Sequence, residues 1–410
     1  MNTMDEKPLH VGVFGLFGAG NSGNDGSLEA VLDHLRAARP DAVLDAMCGG
    51  PEVVATRYGV PATRLNWYRG EYRTASRVGA ITGKALGKLV DVFRTAAWVR
   101  RHDAVIVPGT GVLETTLPLR PWGFPYSLFL LCLTGRLLGT RVALVSVGAG
   151  AIGNRPTRVL TRWSTRLAAY RSYRDSQSRD AMRAMGVDTA RDEVYADLVF
   201  ALPAPSAAEP AGNRGPVCVG VMDFHGSNDE RELAEEIHGR YLDGTTRFVR
   251  ALAEEGRPVR LLTGDELDRP VADAIVDAVG SPLVTVAEAA SLADLMKETA
   301  CADSVVATRY HNLVCALKVG TPTLALSYSA KSDALMAEMG MGAYCHPARE
   351  AEADRLLEQF RELERRSAEV RRVLIERNLV VARRVEQQFA ALAAALFPPA
   401  DHIHAQRETP

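Results

Sequence analysis

Ala307-Thr-Arg-Tyr-His-Asn-Leu-Val-Cys-Ala-Leu-Lys-Val-Gly-Thr-Pro-Thr-Leu-Ala-Leu-Ser-Tyr-Ser-Ala-Lys331 is the stretch from which the fold can be read. The apolar runs Ser304–Ala307 and Thr323–Leu326 read as buried strands, with a helix between them and another after the second. Continuous apolar runs separated by helices point to parallel strands covered on both faces. Arg309, His311 and Lys331 then stand at strand-to-helix junctions. Polar groups at the carboxyl ends of parallel strands face the crevice where such sheets take ligands. Two fixed cations and an imidazole, the side chain that titrates near neutral pH, suit an anion that must accept a proton. Ser327 and Tyr328 either line that place or finish the strand.

The same alternation extends in both directions. Upstream, Leu9–Phe14, Ala42–Met47, Ala104–Val107 and Arg141–Ser146 are strands, with a helix from about Gly26 to Ala38 and an amphipathic surface helix over residues 75–101. Pro203–Pro216, with four prolines and two glycines, cannot continue a helix or a central strand and reads as a linker. Beyond it Val217–Val221, Val259–Thr263 and Leu283–Val286 restart the pattern. The expected organisation is α/β: a Rossmann-like domain over 1–202, a linker over 203–216, and a second Rossmann-like domain over 217–349. One or two mixed-charge helices over 350–397 pack on these, a disordered tail covers 398–410, and the two αβα domains face a ligand cleft.

Gly15–Gly26 follows the first strand and opens a helix. Its glycines let backbone N–H groups approach an anion at a helix N-terminus. Gly20, Asn21 and Asp25 are therefore candidate ligand contacts, the alternative being a plain turn with Asp25 capping the helix. Gly18-x-Gly20-x-x-Gly23 also matches the dinucleotide fingerprint, with Asp45 at the second strand 22 residues later, so an NAD-dependent oxidoreductase is a live alternative. The polar run Asn21–Asp25 counts against it. Gly109 and Gly111, then Gly148 and Gly150, repeat the device after two further strands.

A formal charge of −2 over 410 residues argues against nucleic acid or an anionic membrane as the main partner. Six scattered cysteines without C-x-x-C spacing read as reduced core residues of a cytoplasmic protein. No signal peptide is visible, and the apolar stretch Tyr126–Gly135 is shorter than the ~20 residues of a membrane span. Peripheral membrane contact stays open. No His/Asp cluster with metal-ligand spacing stands out, so no metal is expected.

These elements together resemble the polysaccharide pyruvyl transferase family. The likeness runs from about residue 10 to about residue 345, through the loop at 18–25, the glycine turns at 109–111 and 146–150, Tyr173-Arg-Asp-Ser176, Arg309-Tyr-His311, Gly320-Thr-Pro322 and Ser327–Lys331. One departure is Pro108-Gly-Thr-Gly111, where the family often has three consecutive glycines.

The resemblance implies a fold like the B-type glycosyltransferases and transfer of a pyruvyl unit from phosphoenolpyruvate to two sugar hydroxyls. The product would be a ketal on a polysaccharide precursor or glycolipid-type acceptor, and phosphoenolpyruvate, as co-substrate, would make a further cofactor unnecessary. The N-terminal domain would be the acceptor side and the C-terminal domain the donor side. Arg309, Lys331 and Arg174 would hold the donor anion and His311 would donate the proton. Gly111 and Gly148 would line the site.

Each residue also has a plainer reading: His311 as a helix cap, Lys331 as surface, and Arg174 paired with Asp175 or Asp180. His225 and Asp265 stand at further strand ends as loop residues or substrate contacts. Trp67, Tyr68, Tyr72, Trp122, Phe124 and Tyr126 either stack on sugar or pack. The competing functions are a B-type glycosyltransferase using a nucleotide sugar, the NAD enzyme, and a non-catalytic relative. The acceptor and the oligomeric state are not legible.

Overall fold

A computed structural model describes residues 8–68, 77–109, 111–114, 121–205, 215–226 and 232–397. The first sheet contains β1 (His10–Gly15), β2 (Val43–Cys48), β3 (Ala62–Arg64), β4 (Ala104–Pro108), β5 (Arg141–Val147), β6 (Tyr170–Tyr173) and β7 (Glu193–Val194). Their order is β3-β2-β1-β4-β5-β6-β7 and every pair is parallel. The second sheet contains β8 (Val217–Gly220), β9 (Val259–Leu262), β10 (Val284–Val286), β11 (Ser304–Ala307), β12 (Thr323–Ser327) and β13 (Cys345–Pro347). It repeats the plan as β10-β9-β8-β11-β12-β13, again all parallel. Strand order reverses between β1 and β4, and between β8 and β11. At such switch points the loops splay apart and leave a ligand crevice.

The helices up to residue 184 are α1 (Ser22–Ala38), α2 (Pro51–Tyr58), α3 (Arg77–Val99), α4 (Phe124–Leu138), α5 (Arg155–Leu167) and α6 (Ser176–Ala184). Those after it are α7 (Ala234–Glu254), α8 (Arg269–Val279), α9 (Leu292–Ala300), α10 (Tyr310–Lys318), α11 (Ala330–Glu338), α12 (Ala353–Arg365) and α13 (Ser367–Leu396).

Side chains alternate across a strand, and β1 shows how this builds two cores. Val13 packs with Phe17, Leu28, Leu32 and Val54, while its neighbour Phe14 packs with Trp98, Phe124, Leu128 and Leu131. An apolar run with no polar face is therefore buried on both sides.

Helix α1 begins four residues before the expected Gly26. The side-chain oxygen of Asn21 accepts hydrogen bonds from the backbone N–H of Gly23 (3.1 Å) and Asn24 (3.2 Å), which makes Asn21 the cap. Asp25, the cap in the plain-turn alternative, sits buried in the first turn instead. Strands β3, β6, β7 and β13 were not anticipated; they are short, and polar or proline-bearing.

The compact units do not follow the linear division either. Residues up to Ala19, Ser27–Leu198 and those from Arg384 form one unit; Gly20–Gly26 and Val199–Arg383 form the other. The 350–397 segment is thus divided between them, and Gly20–Gly26, the end of the glycine loop with the first turn of α1, belongs with the second sheet. The tail at 398–410 and most of the 203–216 linker lie outside the described residues, as does Tyr72. Among the described residues no helix is long and apolar enough to cross a membrane. Cys301 is exposed, unlike the core cysteines expected.

Candidate active site

In the second unit, β11 ends at the switch point and the chain turns directly into α10. Thr308 marks the turn. Its backbone N–H donates to the Gly220 carbonyl (2.9 Å), and its hydroxyl shares a 2.8 Å hydrogen bond with the Tyr241 phenol. Burial pushes that phenol up to about 12. Arg309 follows as the residue preceding the helix. Its guanidinium donates through Nε (2.8 Å) and Nη2 (2.5 Å) to the carboxylate of Asp268, which is fully buried. Asp268 also accepts from the backbone N–H of Asp223 (3.0 Å) and Gly264 (3.2 Å). Burial opposes the Arg309 charge, but the hydrogen bonds and charge of Asp268 outweigh it and raise the guanidinium above its ordinary value. Sequence reading placed Arg309 as a fixed cation at a strand end; in the fold Asp268 balances its charge.

His311 lies in the first turn of α10 and meets the first turn of α1. A Cβ on Gly23 would fall 1.9 Å from His311 Cε1 and 2.1 Å from Nδ1, so the imidazole rests where a side chain would otherwise be. Only glycine permits that approach. The neighbouring Tyr310 ring lies 5.3 Å from the imidazole, edge to face. The same tyrosine carries Lys331, whose ammonium is 5.6 Å from the Tyr310 ring centroid and 5.8 Å from that of Tyr328. Lys331 is thus held by two aromatic faces. Ser327 donates to the Ser329 carbonyl (3.3 Å), which finishes its strand. Gly20 adopts φ +87, and Asn21 forms an isolated bridge with Asp265, so the loop is anchored beside α10's neighbours.

Asn312, noted in the sequence only as the residue following His311, adds a further group. It is fully buried between Gly220 and Gly264, and neither end of its amide meets a hydrogen-bond partner among the described residues. Asp268 escaped notice, although the acidic run Asp265-Glu-Leu-Asp268 after β9 was its available signal.

Arg174 is placed differently. It is 2% exposed in the first unit, one residue beyond β6, and pairs with Glu114, Asp175 (3.4 Å) and Asp197 (3.7 Å). Asp175 was foreseen as a partner; Glu114 and Asp197 were not, and Asp180 pairs with Arg183 instead. A Cβ on Gly148 would strike Glu114 and Arg174, and one on Gly111 would strike Glu114. These two glycines make room for a buried ion pair. Asp45 also moves. It lies within β2, three residues before its end, and its carboxylate is 2.9 Å from His102 Nε2. One carboxylate oxygen is thus engaged by that imidazole, and Asp45 does not stand at the strand end where the dinucleotide reading placed it.

One cluster corrects the expectation that no metal-ligand grouping exists. Asp223 and His225 follow β8, and His238 comes from α7. His225 Nε2 and His238 Nδ1 lie 2.9 and 3.6 Å from the same Asp223 oxygen, and the imidazoles stack at 4.4 Å. The three donor atoms fit within 4.8 Å of one another, close enough to share one cation. Nothing in the spacing of Asp223 and His238 announces it.

Among the aromatic residues, Phe124 packs in the core with Phe14 at 6.0 Å, whereas Trp67 and Trp122 are exposed.

A profile of the family described as polysaccharide pyruvyl transferase matches residues 21–330. The chain belongs to that family. The matched span contains the loop at Asn21, the Arg174 cluster and the whole Arg309–Ala330 segment. No curated protein sequence matches this pyruvyl transferase family member. Its fold is that of the B-type glycosyltransferases, shared with several solved structures. The UDP-GlcNAc 2-epimerase of Neisseria meningitidis, solved with UDP-GlcNAc, aligns with TM-score 0.61 at 13% identity, covering 93% of this chain and 99% of that one. S. aureus MnaA in its UDP complex gives 0.59 at 12% identity over 95% and 97%. Acinetobacter baumannii MurG gives 0.51 at 14% identity over 92% and 95%. At such identities the likeness speaks for fold alone.

Proposed function

We propose that this protein transfers a pyruvyl unit from phosphoenolpyruvate to two hydroxyls of one sugar, closing a cyclic ketal and releasing phosphate. The observation that carries this reading is the seat of the His311 imidazole on Gly23, at the N-terminus of α1 and beside the tyrosine that holds Lys331. A helix N-terminus offers N–H groups and positive potential to a phosphate, and Lys331 adds a full charge. The remaining N–H groups of Arg309 and the buried amide of Asn312 supply directional hydrogen bonds, while Asp268 holds Arg309 in place.

Protonated His311 gives its proton to the methylene carbon of the donor. C2 becomes electron-poor and is stabilised by its attached oxygen. The first sugar hydroxyl bonds to C2 and loses its proton to a base. The second hydroxyl then displaces phosphate as the C2–O–phosphate bond breaks, its proton leaving with the phosphate, which leaves a ketal and inorganic phosphate.

The test is release of phosphate from phosphoenolpyruvate that depends on a glycosyl acceptor, with the acceptor's mass rising by one pyruvyl ketal. His311→Ala is expected to lose at least about 100-fold in that rate with an unchanged melting point. Full activity in the variant would remove His311 from the mechanism. Turnover of a nucleotide sugar, with indifference to phosphoenolpyruvate, would replace the donor.

A further inference from the structure

Helices α3, α4 and α5 form a layer in the first unit, α4 packing against both neighbours. Their sequences hold nine Lys and Arg residues and a single acid, Asp91, in a chain whose net charge is −2. That acid is buried and paired with Lys88 (3.4 Å) and Arg94 (3.5 Å). Lys84, Arg136, Arg155, Arg158 and Arg166 form no ion pair with any described carboxylate; Arg158 and Arg166 donate only to backbone carbonyls.

The polarity of two of these helices is inverted. A water-facing helix turns its apolar stripe inward. Helix α5 instead buries Thr157, Thr161, Ser164 and Thr165, and leaves Val159 (49%) and Trp163 (50%) exposed one turn apart. Helix α3 ends in the core residues Trp98 and Val99, but its earlier turns bury Asp91 and Thr95 and expose Leu86 (54%), Leu89 (56%) and Phe93 (68%) along one stripe. Trp122, just before α4, is 65% exposed.

We infer that this layer docks on an anionic lipid bilayer, with the apolar stripes entering the headgroup boundary and the cations meeting lipid phosphates. Apolar residues with tryptophan, rimmed by Lys and Arg, form the pattern of a surface-lying membrane contact. A second copy of the chain would bring two strongly cationic layers together, which argues against self-association through this face. Nucleic acid would use the cations but leave Leu86, Leu89 and Phe93 without purpose.

Co-sedimentation of the full chain with vesicles tests this without any substrate, so it is independent of the pyruvyl reading. Binding is expected to phosphatidylcholine vesicles containing phosphatidylglycerol, weakening with salt, and not to phosphatidylcholine alone. The doubly exchanged Arg155→Glu, Arg158→Glu chain should bind at least about tenfold more weakly. A Leu89→Asp, Phe93→Asp chain should lose binding as well, while both variants keep the wild-type melting point. A chain that stays in the supernatant with anionic vesicles at low salt overturns the inference. So does a wild-type dimer that Phe93→Asp dissociates, because the face would then be an interface between copies.

Discussion

At the residue scale, Gly23 and His311 are one feature. In the first turn of α1 an alanine would favour the helix by up to ~1 kcal/mol, while its Cβ would strike the imidazole and cost about 1–3 kcal/mol of overpacking unless the ring moved. The ring is the movable partner. Gly23→Ala should therefore shift the melting point little, yet lower acceptor-dependent phosphate release about 100-fold, since an ångström of misplacement has that effect. Equal losses of stability and activity would mean that the glycine serves packing alone.

Lys318 offers a pH test at the same scale. Burial lowers its ammonium to about 8, although it donates to the Phe200 carbonyl at 2.7 Å. Between that value and the ordinary 10.5 of the unfolded chain, the unfolded state holds the proton more tightly than the folded one. Stability from this group is therefore lowest below pH 8 and rises as pH climbs towards 10.5. Relative to a Lys318→Met chain, the gain across that window should be roughly 3 kcal/mol. Parallel curves for the two proteins, followed by urea unfolding, would refute it.

At the element scale, the Arg174 cluster shows what short strands do. Strand β6 delivers Arg174 to meet Glu114 from the segment after β4, and Gly111 and Gly148 leave the space they need. Removing the cation would leave buried carboxylates facing one another. Arg174→Ala should therefore cost about 3–5 kcal/mol in urea unfolding of the full chain. An unchanged midpoint with reduced affinity for phosphoenolpyruvate would return Arg174 to the donor. The long apolar strands were readable in advance because burial on both faces leaves an uninterrupted hydrophobic run. Strands of two to four residues such as β6 and β7 lie towards a sheet edge, where the polar residues of Tyr170-Arg-Ser-Tyr173 carry no such signature.

At the scale of the whole molecule, the sequence by itself determined the α/β class, the two parallel sheets and the strand-end positions of Arg309, His311 and Lys331. Those follow from local periodicity, which each segment carries independently. Only the tertiary structure decided what these groups face. It moved the first turn of α1 into the second compact unit, set His311 on Gly23, balanced Arg309 with Asp268, and gathered Asp223, His225 and His238. It also turned α3 and α5 so that their apolar stripes face outward. The physical reason is the same throughout. A strand or helix pattern states which side of an element is buried or solvated, whereas charge compensation and close approach depend on partners brought together from distant parts of the chain.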